Sequence, residues 1–350
     1  MSKDIGGAAF VGLIDLAAEE MGGVALACSD DFFAGMENML KPGRGVFLPD
    51  EYTDRGKWMD GWESRRKRGP GHDWCIVRLG VRGRIQAVDI DTNHFLGNHP
   101  PYASLEATRA PADADLPSLE AATWTEILPQ SPLRPGSQNL FAIGAAEPST
   151  HVRLRIYPDG GVARLKVWGS ADPDWSRVEV DDETRPRLAP GEVDLASVRN
   201  GALALACSDA FFGPMNNLIA PGRAVNMGGG WETRRKRLPG NDWILVRLGA
   251  PGTTGLVEID TNHFKGNYPD RVALRGIHAP GAKITDLVPV GSYGGGDAAW
   301  TTILDETKMS PSARHFFRDE VKSRGPFTHV RLDVFPDGGV SRLRVWGTRS

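Results

Sequence analysis

The sequence predicts an all-β protein made of two tandem β-sandwiches, and three observations carry that expectation. The chain repeats itself almost end to end. Its periodic stretches are short, alternate apolar with polar residues, and are punctuated by glycine and proline. Helical period is scarce, confined to Phe10–Glu20 and Pro311–Val321, each of which the pattern reads as a short helix. The two halves are expected to be related by a pseudo-twofold axis. The predicted boundaries are residues 1–173 for the first sandwich, 174–192 for a linker rich in Pro, Asp, Glu and Arg, and 193–350 for the second.

The repeat begins with Ile14-Asp15-Leu16-Ala17, answered by Val193-Asp194-Leu195-Ala196. Ala-Leu-Ala-Cys-Ser-Asp at 25–30 recurs at 204–209, and paired phenylalanines follow at 32–33 and 211–212. Pro42-Gly43-Arg44 matches Pro221-Gly222-Arg223, after which ten extra residues intrude in the first half. Register resumes at Trp62-Glu63-Ser64-Arg65-Arg66-Lys67-Arg68, which answers Trp231-Glu232-Thr233-Arg234-Arg235-Lys236-Arg237. Asp73-Trp74 and Asp242-Trp243 then open apolar runs ending in Val-Arg-Leu-Gly. From Ile90 to Asn98, eight of nine residues recur at Ile259–Asn267, and the single change is Leu96 to Lys265. Val88, Ile90 and Thr92 alternate with Asp89, Asp91 and Asn93, the period of a strand with one buried face. A Pro- and Ala-rich stretch near 107–117 reads as a surface loop. Thr150–Gly169 and Thr328–Gly347 share fifteen of twenty positions and read as hairpins reversed by Pro-Asp-Gly-Gly.

Bulk composition narrows the function classes. Hydrophobic content of 40% and charged content of 24% fit a soluble globular protein of 350 residues with two cores. A net charge of -3 argues against a nucleic-acid partner. No apolar run approaches the roughly 20 residues of a membrane helix, so no membrane partner is expected. The N-terminus lacks the pattern of a secretory signal, and Cys28, Cys75 and Cys207 are unclustered. Reduced thiols and a cytoplasmic location follow as expectations.

The candidate site is the end of the repeated strand. Asp91, Asn93, His94 and Asn98, with Asp260, Asn262, His263 and Asn267, put carboxylate, amide and imidazole together on a loop edge. Turn bracing by Asp and Asn is the plainer reading of such a cluster, and faithful repetition favours a site. Asp91, His94, Asp260 and His263 are the candidates for proton transfer. Arg65, Arg66, Arg234 and Arg235 are the candidates for holding a small anion, because a guanidinium fork fits a carboxylate. Glu63 and Glu232 either touch substrate or pair with those arginines; a solvated cationic face is the plainer reading of the run. No nucleotide-binding loop, dinucleotide fingerprint, zinc helix or nucleophile elbow is present, so no cofactor is expected. A divalent metal on Asp91 and His94 is left open, without diagnostic spacing. His72 and His99, which correspond to Asn241 and Tyr268 in the second half, lean the expected chemistry toward the first.

The duplicated set of Ser-Asp-x-Phe-Phe, Gly-Trp-Glu-(Ser/Thr)-Arg-Arg, Asp-Trp-x-(Ile/Leu)-Val-Arg-Leu-Gly and Ile-Asp-Thr-Asn-His-Phe-x-Gly-Asn resembles the allantoicase family. The resemblance runs from about Phe10 to Gly347. It implies tandem jelly rolls of the galactose-binding-like type and hydrolysis of allantoate to ureidoglycolate and urea in purine degradation. Allantoate is then the expected partner, and a homo-oligomer is compatible with the sequence but not specified by it. Two rivals remain: metal-assisted attack on the ureido carbonyl, and a tandem β-sandwich that binds a ligand without catalysis.

Overall fold

The computed structural model describes residue 10 and residues 12–145, 147–176, 179–288 and 299–350. The chain forms two compact units, Met1–Pro173 and Asp174–Ser350. The first contains β1 (Ile14–Asp15), β2 (Val24–Cys28), β3 (Asp73–Asp91), β4 (Tyr102–Thr108), β5 (Thr125–Pro132), β6 (Gln138–Ala142), β7 (Ser149–Tyr157) and β8 (Arg164–Ala171). All eight are hydrogen-bonded in the order β1-β8-β3-β7-β4-β5, with β2 and β6 also on β3.

The organising strand is β3, which is 19 residues long. Its first part, Asp73 to Arg78, pairs with β7 on one edge and β2 on the other. Its last part, Ala87 to Asp91, pairs with β8 and β6. One strand therefore serves both sheets of the sandwich, bending between them at Gly80 to Gly83. Gly80 sits where a Cβ would overlap the carbonyl of Met21, so the close backbone approach at the bend admits no side chain.

The second unit repeats this plan with β9 (Val193–Asp194), β10 (Leu203–Cys207), β11 (Asp242–Asp260), β12 (Arg271–Ile277), β13 (Thr301–Lys308), β14 (Arg314–Phe317), β15 (Phe327–Phe335) and β16 (Arg342–Arg349). Its order, β9-β16-β11-β15-β12-β13, is the same, and β10 and β14 again flank the long strand. The all-β tandem jelly-roll expectation holds.

Several local expectations are corrected. The arms around each Pro-Asp-Gly-Gly turn do not pair with each other; β7 and β8 lie on different parts of β3. The turn carries the chain between sheets. Val152, Leu154 and Ile156 are buried while Arg153 and Arg155 share Glu106 at 2.6 and 3.0 Å, as a one-faced strand should. On β8, however, Arg164 and Lys166 are buried too, because loops cover that face. The end of β3 likewise has two buried faces rather than one, since Asp89 and Asp91 are fully buried.

Neither expected short helix forms. Ile14 and Asp15 pair with β8, and only Glu19–Met21 makes a single 3₁₀ turn; residue 11 lies outside the described residues. Arg314–Phe317 is drawn into a strand by the free edge of β11. Conversely, the loop predicted near 107–117 runs into a helix at Leu116–Ala121, started by Asp115 accepting from the Ser118 N–H at 3.0 Å. The segment 174–192, of which 177 and 178 lie outside the described residues, packs within the second unit. Arg314 donates to Asp181 at 3.0 Å and to Glu183 at 2.9 Å, and Arg318 to Glu192 at 2.7 Å. Among the described residues no helix is long and apolar enough to cross a membrane.

Each unit buries one histidine on the strand after its last loop, His151 on β7 and His329 on β15. Their Nδ1 atoms lie 2.9 Å from the hydroxyls of Thr150 and Thr328. Burial, with Arg78 or Arg247 nearby, pushes both from 6.5 to about 4. The folded state keeps them neutral, so stability is intact above pH 6.5 and falls as pH drops toward 4. About 1.4 kcal/mol accompanies each pH unit over which one histidine is charged only when unfolded. Urea midpoints should decline over that window, and the decline should be shallower in His151→Gln/His329→Gln. An unaltered slope in the double variant would remove the histidines from the account.

Candidate active site

The site is assembled where the long strand ends. Thr92 ties that end down: its hydroxyl donates to the Arg134 carbonyl at 2.6 Å and accepts from the Ser137 N–H at 3.1 Å. Thr261 does the same with Ser310 at 2.7 Å and Ala313 at 3.0 Å. The chain then turns through His94 and His263, whose φ angles of 69° and 70° lie in the left-handed region. Strained backbone of this kind at a non-glycine residue persists only where its surroundings fix it, and it concentrates at functional sites.

What fixes it is the next residue. Phe95 is fully buried, and its ring lies against Gly61 and Gly161, where any Cβ would overlap it. Phe264 sits identically against Gly230 and Gly339. The Gly161 N–H donates to the Asn98 carbonyl at 2.8 Å, and Gly339 to Asn267 at 2.7 Å. The second glycine of each Pro-Asp-Gly-Gly turn is therefore dictated by an aromatic ring of the repeated motif.

Asp91 is engaged on all sides. It accepts from Arg44 Nε at 2.7 Å, Arg44 Nη2 at 2.9 Å and the Asn93 N–H at 2.9 Å. Asn93 in turn donates its amide to the Arg44 carbonyl at 2.9 Å. In the second unit Asp260 accepts from Arg223 Nε at 3.1 Å and the Asn262 N–H at 2.8 Å, and Asn262 reaches the Ala224 carbonyl at 3.3 Å. Arg44 and Arg223, which hold these carboxylates, were not singled out from the sequence, although the repeated Pro-Gly-Arg was the signal that could have found them.

The histidines differ between halves. His94 is exposed and stacks on Phe47 with centroids 5.6 Å apart. His263 places Nε2 2.9 Å from the Ala224 carbonyl, which puts a proton on that nitrogen.

The other expected residues fall into two groups. Asn98 donates to Glu63 Oε1 at 2.6 Å, and Asn267 donates to Glu232. Glu63 pairs with Gly161 through the backbone, so this carboxyl–amide pair adjoins the turn that Phe95 underlies. Burial pushes the Glu63 carboxyl above its ordinary range, against the pull of Asn98. Neither glutamate pairs with the neighbouring arginines as one reading expected; each is taken by an asparagine.

Arg65 and Arg234 go elsewhere. Arg65 donates to Asp30 at 2.7 Å and lies 5.1 Å over the Phe32 ring; Arg234 does so with Asp209 at 3.2 Å and Phe211 at 5.1 Å. Both side chains are 63% exposed, and Arg66 and Arg235 are exposed beside them. Lys67 and Lys236 are tied to Asp73 at 2.8 Å and Asp242 at 2.7 Å. The acidic residues of Ser-Asp-x-Phe-Phe, Asp-Trp and Pro-Asp-Gly-Gly thus anchor the cationic run, Asp159 taking the Lys67 N–H at 2.7 Å. His72, expected to favour the first half, packs on Tyr157 at 4.9 Å instead of joining the strand end. Among the described residues no group of three His, Cys, Asp or Glu is arranged to hold a metal.

A duplicated jelly roll that presents the same acid–amide–imidazole loop twice defines a two-repeat enzyme scaffold. A family model described as allantoicase repeat matches residues 14–172 and again 193–350, and the chain belongs to the allantoicase family. It is 48% identical over 335 residues to a protein named probable allantoicase 1 from Burkholderia mallei, covering 96% of this chain and 94% of that one. It is 46% identical to a probable allantoicase of Stutzerimonas stutzeri, covering 95% and 96%. The crystal structure of allantoicase from Saccharomyces cerevisiae superposes with a TM-score of 0.78 at 32% identity, over 97% of this chain and 94% of that one.

The wedge makes a direct prediction. Phe95→Ala should cost about 3–5 kcal/mol, the usual loss for a fully buried aromatic ring. It should also free the loop that carries His94. Denaturant unfolding checks the first point, and an unchanged midpoint would show that the ring does not hold the turn.

Proposed function

We propose that this chain is a hydrolase that converts allantoate and water to ureidoglycolate and urea, with its chemistry at the repeated strand end. The observation that carries the reading is the carboxyl–amide pair, Glu63–Asn98 and Glu232–Asn267, set beside a left-handed histidine in both halves of a chain of this family.

Allantoate carries a carboxylate and two ureido groups on one carbon. To lose one urea, the C–N bond breaks with its electron pair going to nitrogen, and that nitrogen must gain a proton. Water then adds its oxygen to the carbon and gives up a proton. Atoms balance with one water consumed. Glu63 and Glu232 are assigned the proton transfers, because each carboxyl has a single side-chain partner, the amide of Asn98 or Asn267, beside the repeated loop. Asn98 and Asn267 orient those carboxyls and present amides that match a ureido group.

His94 and His263 share the proton work at the loop edge. Asp91 and Asp260, expected from sequence to transfer protons, act instead as positioning groups, being buried and bonded to arginine and backbone. Arg65, Arg66, Arg234 and Arg235 remain on the outer shelf, where their charge raises the local concentration of an anionic substrate.

Purified protein incubated with allantoate should release urea and ureidoglycolate in equal amounts. Absence of urea at neutral pH, with and without added divalent metal, would overturn the reading in favour of ligand binding alone. Glu63→Gln/Glu232→Gln should lower kcat by roughly 10²–10⁴-fold with the fold intact, the usual worth of a positioned acid or base. Wild-type turnover in that double variant would exclude the glutamates from catalysis.

A further inference from the structure

The two strand ends look alike in sequence and differ in how they hold their arginine. Arg44 in the first half has an 11% exposed side chain and meets Asp91 through two nitrogens, at 2.7 and 2.9 Å. Arg223 in the second half is 45% exposed and meets Asp260 through one, at 3.1 Å. The cause is the ten-residue insertion. The Val46 N–H donates to Asp60 at 2.9 Å, which folds the insertion back on Gly45, the residue after Arg44. The second half spans the same gap with Val225 to Gly230 and leaves Arg223 open on one side.

The surroundings diverge in the same direction. The first-half loop edge carries exposed Val46, Phe47, Leu48 and Leu96. In the second half Phe47 becomes Asn226 and Leu96 becomes Lys265, the one substitution in the motif. Exposed apolar residues persist in the second half, at Val225 and Met227, but there Asn226, Lys265 and Arg223 stand beside them and offer donors to a small anion made of carboxylate and ureido groups. In the first half the Lys57 ammonium is held 5.2 Å over the Phe47 ring, and the phenylalanine and leucines around it would strip water from polar groups and return no hydrogen bonds.

We infer that Arg223 is the residue that binds the substrate carboxylate, that Asp260 positions it, and that the Arg44–Asp91 pair of the first half is structural. The carboxyl–amide pair is duplicated, so it does not choose between the halves; recognition of the anion does. Asp260 is fully buried and accepts from Arg223 Nε, which fixes the plane of the guanidinium while the rest of it lies at the surface. Orientation by one carboxylate and presentation to another is the geometry a fork-shaped donor allows and an ammonium does not. The inference reverses the lean toward the first half that His72 and His99 suggested.

It rests on the allantoate reading, and the experiment separates the two. Steady-state urea release is measured for the wild type, Arg223→Ala, Arg223→Lys and Arg44→Gln, with melting temperatures alongside. Arg223→Ala should raise KM about ten- to a hundred-fold, the worth of a charge-assisted hydrogen bond or two, and should lower the melting temperature because the buried Asp260 loses its partner. Added guanidinium ion should recover part of the loss, and Arg223→Lys should not. Arg44→Gln should melt lower and keep KM within about twofold; if it does not fold, Leu96→Lys in the first half should likewise leave KM unchanged. Unchanged KM in Arg223→Ala, or an equal rise in folded Arg44→Gln, overturns the inference while the activity stands. A wild type that releases no urea overturns the activity instead.

Discussion

Each unit depends on one aromatic ring closed against a glycine turn. Phe95 and Phe264 fill the space that a side chain at Gly161 or Gly339 would need, and so they join the end of the long strand to the crossover between sheets. That contact sets the path of the loop in between. It holds the preceding histidine in a conformation that a β-carbon resists, and it brings Asn98 or Asn267 back to the turn through its carbonyl. The glutamate then pairs across the same turn. Four motifs far apart in the chain are consequences of one packing decision, which explains why they recur together.

The cationic run illustrates how charge can be mainly architectural. Its basic residues look available in the sequence, yet Asp30, Asp73 and Asp159 each take one of its donors. The same pattern in the second half uses Asp209, Asp242 and Asp337. The Arg65–Asp30 and Arg234–Asp209 pairs, with exposed arginines, contribute little stability individually. Their value lies in register, because a run held at three points presents Glu63 or Glu232 in a fixed place.

Much of this was legible in the sequence, for definite reasons. Duplication exposed the architecture, and alternation on β7 correctly marked buried Val152, Leu154 and Ile156 against the less buried Arg153 and Arg155. Alternation failed at Asp89, Asp91, Arg164 and Lys166 because it reports local polarity, while the partners that bury such groups, Gln138 on Asp89, Arg44 on Asp91 and Asp60 on Arg164, are distant in sequence. The hairpins were misread for a related reason: a turn signal shows that the chain reverses, not which sheet receives it. Of the site, the repeated loop and its Glu and Asn residues were readable. The role of Arg44 and Arg223 was hidden, since their partner lies 47 and 37 residues away. The richer cluster of arginines drew attention to Arg65 and Arg66 instead.

The long bent strand has a consequence for how these units come apart. A sandwich whose sheets meet only through side chains can lose one sheet and keep the other for a time. Here β3 and β11 supply backbone partners to both sheets, four strands on each. Neither sheet can be peeled away without unzipping the strand that centres its neighbour, so each unit opens as one cooperative block. The repeated loop hangs from the end of that same strand. It is joined to the frame directly at Asp91 and Asp260, and so it rides on a body with no weak half.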